Sequence, residues 1–405
     1  MAELIASREA GLARLAAFTP LAGKRYASAR NFDRGAGRHD AVSQLSPYLR
    51  RRLVTEQEVV TATMHAHGLE GAEKFIQEVF WRTYFKGWLE RRPVIWDQYR
   101  DGVKADIDRL ERAPVLRKRL HAALQGETGI ACFDVWMREL VDTGYLHNHA
   151  RMWFASIWIF TLELPWRLGA DVFLRNLLDG DPASNTLGWR WVAGVHTRGK
   201  TYKAETWNIA KFTDQRFVLP EGILSPVADA LVHQEPEGLP AVSPLRTTDR
   251  PDLSLSTGLL ITEEDCQIEA AILPGARIKA VATLRASHLR SPLPVNALVG
   301  AFETGALADA AERSGHPAQD LIAKDPAVLV NWARQASIEQ IVTGYIPVGP
   351  LRDWMNAAQP HLSAAGIRLC EWRRPWDEVT WPHATAGFFK VKKQIPRILD
   401  EIGLS

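Results

Sequence analysis

Asp179 and Asp181 stand two apart in DGDPASNTLGWRW (179–191), just past an apolar helix face that carries Leu174, Leu177 and Leu178. A carboxylate buried there is costly without a cation, and Arg151, in HNHARM (147–152), is its natural partner. Taken singly, each piece has an ordinary explanation: an Asp after a helix caps it, an Arg on a helix meets solvent, and Trp189 and Trp191 pack in a core. Other chemistries lack the spacing they need. The histidines at 147, 149, 196, 288, 316 and 383 form no ligand pattern with carboxylates, and His147 and His149 point to different sides of a helix. Cys132, Cys266 and Cys370 form no CxxC pair, so neither a disulfide framework nor a thiolate metal site is expected, which suits a reducing cytoplasm. No metal and no acid–base triad is predicted.

The elements that position these residues are helical. From about residue 55 to 190 apolar positions recur at three and four, as in Phe75 with Val79 and Phe80, which is amphipathic-helix spacing. Pro220, Pro226, Pro236, Pro240, Pro244 and Pro251, set among polar residues, then mark 219–257 as a linker. Beyond it the texture changes to short apolar runs at 259–266, 278–284, 340–348 and 367–372, with helical stretches at 294–312 and 350–365. Strands alternating with helices predict a smaller parallel α/β domain. The expected organisation is a helical domain over 1–218, a linker over 219–257 and an α/β domain over 258–405. That last domain has no GxGxxG or Walker motif.

The chain has 405 residues, enough for two domains, and a formal net charge of +2, too mild to announce nucleic-acid binding. Ten Lys or Arg against six Asp or Glu in residues 1–60, with the run Arg50, Arg51 and Arg52, read either as a local basic docking surface or as a solvated helix face. No apolar run approaches the roughly 18 residues of a membrane span, and the first residues lack a signal-peptide core, so a cytoplasmic protein is expected.

The motifs TGIACFDVWMREL, TGYLHNHARM, LLDGDPASN and GWRW, with QLSPYL at 44–49, closely resemble the flavin-binding domain of DNA photolyases and cryptochromes. The resemblance covers roughly residues 20–217. It implies an all-α domain holding FAD, with light-driven electron transfer from the reduced flavin. Tyr26 and Arg30 match the start of the family's cofactor site, and Ser43, Gln44, Leu45 and Ser46 match its phosphate-binding loop at a helix start. Arg82, Asn148, Arg151, Asp179 and Asp181 match residues around the isoalloxazine and ribityl chain. Asn185 matches the amide facing flavin N5, a group that hydrogen-bonds the reduced ring without offering an ionisable proton.

The same resemblance implies a lesion site. Glu78, Trp81 and Trp191 match the carboxylate and the two aromatic walls that receive a flipped-out pyrimidine dimer, and Met152 matches a residue at the floor. Trp189 and Trp166 match the first two members of the tryptophan chain that reduces the flavin in light; the third position aligns close to Ala113, and no tryptophan lies between Trp96 and Trp136. Other departures are TGIA for TGYP, His149 for a common Arg, and Ala123 for a common Trp. The implied function is a carbon–carbon lyase that splits cyclobutane pyrimidine dimers in UV-damaged DNA. The alternative is a cryptochrome-like blue-light photoreceptor that signals to a protein partner through its C-terminal domain. The family carries its α/β antenna domain first, whereas here α/β texture follows the helices. The tail 376–399 is distantly similar to the end of that antenna domain, which implies a permuted or degenerate copy. No antenna chromophore is assigned.

Overall fold

A computed structural model describes residues 4–268 and 276–404. Twelve helices come first: α1 (Arg8–Phe18), α2 (Lys24–Ala29), α3 (Ser46–Arg50), α4 (Glu56–Gly71), α5 (Glu73–Glu90), α6 (Val94–Glu111), α7 (Pro114–Gln125), α8 (Ala131–Thr143), α9 (Asn148–Ser156), α10 (Trp166–Asn176), α11 (Pro182–Val192) and α12 (Thr206–Phe212). No strand occurs among the described residues before Ser256. Local chemistry sets the helix ends. Thr55 and Glu58 close a reciprocal capping box on α4, and Asp181 caps α11, whose first residue is Pro182. Gly144 ends α8 at φ 64°, a left-handed conformation that side chains with a Cβ rarely adopt. After α9 the chain makes a π-type turn over Ile157–Thr161, in which Leu162 N–H donates to Ile157 O.

Five parallel strands follow: β1 (Ser256–Thr262), β2 (Arg277–Arg285), β3 (Ala318–Ile322), β4 (Gln340–Gly344) and β5 (Arg368–Trp372), in the order β3-β2-β1-β4-β5. Helices α13 (Ala297–Arg313), α14 (Ala327–Ala336) and α15 (Pro350–Ala364) make the crossovers, and α16 (Pro375–Thr380), α17 (Phe389–Lys392) and α18 (Ile395–Glu401) end the chain. β1 is central and buried on both faces, as parallel strands require. Its side chains alternate between two cores: Leu259 and Ile261 join the core of the helical domain through Val299 and Phe302 of α13, while Leu260 joins a second core with α14 and α15. The first core runs without a break from helices to sheet.

Several sequence expectations shift. β1 begins at Ser256, inside the expected linker, and ends at Thr262, because residues 263–266 form the turn that follows it. The run at 340–348 pairs only to Gly344. The linker is docked rather than free: Ser243 N–H donates to Arg91 O at 2.8 Å, Leu231 N–H to Ala193 O at 3.0 Å, and Glu235 pairs with Arg190. Arg50, Arg51 and Arg52 are buried, at 1, 0 and 4% exposed, not solvated. In a doubly wound sheet the crevice at the carboxyl ends of the strands ordinarily takes a ligand. Here Glu263, Glu264 and Asp265, just past β1, receive the arginine run instead. Arg50 makes a bidentate contact with Glu264 at 2.7 and 2.9 Å, and Arg52 lies 3.8 Å from Asp265 and 2.6 Å from Asp377.

Candidate functional site

Helix α5 carries Glu78, Trp81, Arg82 and Lys86, and the C-terminal tail packs against it, Trp81 included. Trp376 Nε1 donates to Thr83 Oγ1 at 2.8 Å, Trp381 lies so close to Gly87 that an added Cβ would meet it at 2.6 Å, and Phe388 stacks on Trp81 with centroids 3.9 Å apart. The tail that follows the sheet therefore returns to brace the helix on which the candidates Glu78, Trp81 and Arg82 stand.

Two aspartates form the other side of the site. Asp179 accepts from Arg151 Nη2 through both oxygens at 3.0 Å. Burial alone would raise its pKa, but Arg151, Arg82 and Ser46 hold the carboxyl below its ordinary range. Asp181 accepts from Ser184 N–H at 2.9 Å and lies 3.4 Å from Lys86 Nζ. Against its burial, Lys86, Arg50 and Arg82 hold it well below the ordinary range. Arg82 thus stands between two ionised carboxylates, and its Nη1 is shielded and has no hydrogen-bond partner among the described residues. That N–H, set beside two carboxylates, is available to an acceptor on a bound molecule.

The other candidates distribute as follows. Asn185 Nδ2 donates to Ala170 O at 2.8 Å, leaving its carbonyl oxygen as the acceptor on that amide. Tyr26 is buried beside Phe75, and Arg30 pairs with Glu78, so a residue matched to the cofactor meets one matched to the lesion. In the loop before α3, Ser43 Oγ accepts from Leu45 N–H at 3.3 Å, and Gln44, at φ 51°, accepts from Arg14 at 3.1 Å. Ser46 opens α3 and reaches Asp179. Asn148, first residue of α9, is exposed, and Met152 is half-buried one turn later. Trp191 packs against Tyr202, with centroids 5.6 Å apart, rather than directly against Trp81.

Trp189 sits in a cage of rings, 5.1 Å from Phe173 and 6.2 Å from Trp158. An added Cβ on Gly169 would meet its ring at 2.3 Å, so only glycine allows α10 to lie this close. Trp166, 1% exposed, begins that helix. Sequence reasoning missed three contributors: Lys86, set between Asp181 and Glu264 at 3.4 Å from each; Glu264 itself; and Phe388. Lys86 recurs four residues after Arg82 on α5, a signal of shared helix face; the other two are remote in sequence.

Known proteins resemble part of this chain. A family model described as the FAD binding domain of DNA photolyase matches residues 75–217. A deoxyribodipyrimidine photo-lyase of Streptomyces griseus is 40% identical over 162 residues, which cover 39% of this chain and 33% of that protein. One from a strain of Thermus thermophilus is 34% identical over 194 residues, covering 48% and 44% respectively. Among solved structures, a class III photolyase from Agrobacterium tumefaciens matches at 27% identity and a TM-score of 0.39, covering 51% of this chain and 43% of that one. A cryptochrome from Synechocystis matches at 24% identity and a TM-score of 0.43, covering 52% and 44%. The chain spans less than half the length of each.

Proposed function

On the match of residues 75–217 to the FAD binding domain of DNA photolyase, we propose that the protein holds FAD and is a light-dependent DNA repair lyase that splits cyclobutane pyrimidine dimers. The observation that carries this reading is the cluster in which Arg151 pairs with Asp179, Arg82 lies in the field of both Asp179 and Asp181, and one buried Arg82 N–H has no partner among the described residues. When bound, reduced FAD supplies, after absorbing blue light, the electron that opens the cyclobutane ring and then accepts it back.

The chain's own residues hold the two partners. Arg82 and the Asn185 carbonyl hold the cofactor, Asp179 keeps Arg151 in place, and residues 43–46 hold its phosphates. Trp81, half-buried with Phe388 stacked on it, is the aromatic surface offered to a base. Stacking there returns roughly 1–3 kcal/mol per base against the few kcal/mol needed to flip the dimer out. Glu78 must leave Arg30 to reach the base edges. Both side chains are about a third exposed, at 34 and 28%, so that pair is worth no more than ~1 kcal/mol and exchanges readily. The buried arginine run is not available to phosphates; the exposed Lys24, Arg25 and Lys200, close in sequence to Tyr26 and Tyr202, take that role. The five-stranded domain we read as a permuted antenna-type domain, supported by its parallel order and by the way its tail packs on α5.

Glu78→Gln tests the lesion site. Flavin content and spectrum should match the unmodified protein while repair per absorbed photon falls; an unchanged yield removes Glu78 from the site. Unmodified protein that binds and photoreduces flavin but repairs no dimer would replace this reading by the photoreceptor one.

A further inference from the structure

Light-driven reduction of a bound flavin needs an electron from outside, and the relay's third position falls close to Ala113 rather than on a tryptophan. The structure places two other rings beyond Trp166. Tyr99 of α6 has its centroid 6.1 Å from Trp166, and Trp96 lies 5.3 Å from Tyr99. On the inner side Trp189 rests on Gly169, one helical turn from Trp166. Trp166, Tyr99 and Trp96 therefore run in turn to the seam with the α/β domain, with Trp189 packed on the helix that Trp166 begins.

Their polar atoms differ in a way that decides where an electron vacancy can rest. Trp166 Nε1 and the Tyr99 hydroxyl are buried with no hydrogen-bond partner among the described residues. Trp96 Nε1 donates to Asp353 Oδ2 at 2.8 Å. Asp353 belongs to α15 of the α/β domain, is held by Arg100 Nη1 at 3.1 Å, and has a side chain 31% exposed. The two rings and this carboxylate border a cleft of about 300 Å³ between the domains, lined also by Arg100, Lys104, Arg290 and Asp171.

Resting on the proposed light reaction, we infer that Trp96 is the terminal electron donor of the relay, reached through Trp166 and Tyr99, and that Asp353 accepts its indole proton. One electron moves inward along the four rings and leaves a radical cation on Trp96. That cation is a strong acid: its N–H bond breaks, the proton passes to Asp353 Oδ2 and then to solvent, and a neutral indolyl radical remains. A thiol in solution restores the indole by giving it one electron and one proton, becoming a thiyl radical. Tyr99 cannot trap the vacancy, since nothing takes its proton; burial, reinforced by Asp171, already pushes its phenol well above the ordinary pKa.

The test is flash spectroscopy of the FAD-loaded protein in the presence of dithiothreitol, reading the radical spectrum rather than repair. The unmodified protein should show a long-lived neutral indolyl radical whose formation slows in heavy water. Trp96→Phe should lose that radical and its thiol-dependent decay. Asp353→Asn, which keeps the side-chain volume at a partly exposed position, should lose the deprotonation and its isotope effect. If Trp189→Phe abolishes the radical while Trp96→Phe and Asp353→Asn leave it unchanged, the relay ends elsewhere and this inference falls alone. If the unmodified protein gives no flash-induced radical, the light-driven reading falls with it.

Discussion

Phe388 lies face to face with Trp81, the planes 15° from parallel. One residue ends the α/β domain's excursion and the other stands on the helix that faces the proposed lesion. Packing of this kind is worth about 0.5–1.5 kcal/mol beyond the area buried. Phe388→Leu should leave flavin content unchanged and weaken binding of a dimer-containing oligonucleotide by up to about tenfold. A mobility-shift titration checks this; undiminished affinity would show that Trp81 holds its orientation without the tail.

Glu264 accepts both outer nitrogens of Arg50 and lies 3.4 Å from Lys86, which in turn reaches Asp181. Removing one member of a buried ion-pair cluster leaves the others uncompensated, at a cost of about 3–5 kcal/mol. Glu264→Ala should destabilise the protein by that order in denaturant unfolding and also weaken flavin retention, because Arg50 and Lys86 would be redirected towards Asp181. Stability within about 1 kcal/mol of the unmodified protein would contradict this.

Asp179→Ala strips Arg151 of two hydrogen bonds and removes one of the carboxylates around Arg82. The purified variant should be colourless and regain little absorbance when FAD is added. A yellow protein with full occupancy would remove Asp179 from the cofactor site.

His147 caps α9 by accepting His149 N–H at Nδ1, so the cap needs a neutral imidazole. Burial, partly opposed by Asp33, pushes its pKa down to about 4. A base depressed in the folded state binds more protons when unfolded, so its contribution to stability is complete above the unfolded value near 6.5 and declines as pH falls towards 4. The full loss is at most about 3 kcal/mol. His147→Gln should flatten the pH dependence of the melting temperature in that window; an unaltered slope would assign it to other groups.

The parts of the site legible in sequence are those written in local runs. Arg151 with Asp179 and Asp181 as a helix cap follow from HNHARM and DGDP, because a buried carboxylate demands a partner and Pro182 marks a helix start. The fate of Arg50–Arg52 was not legible: a basic run looks like surface until its acidic counterpart, 214 residues later at Glu264, folds onto it. β3 escaped notice because it is an edge strand in which Leu321 alone is fully buried, so no apolar alternation marks it. Lys86, Phe388 and Asp353 take their roles only from how the two domains meet.

The most direct test of the central claim is to load the protein with FAD, reduce it, and illuminate it with blue light together with an oligonucleotide carrying one cyclobutane thymine dimer. The account predicts that thymine absorbance returns in the light, over many turnovers, with no net consumption of reductant, and does not return in the dark. Flavin that is bound and photoreduced while the dimer stays intact would contradict it.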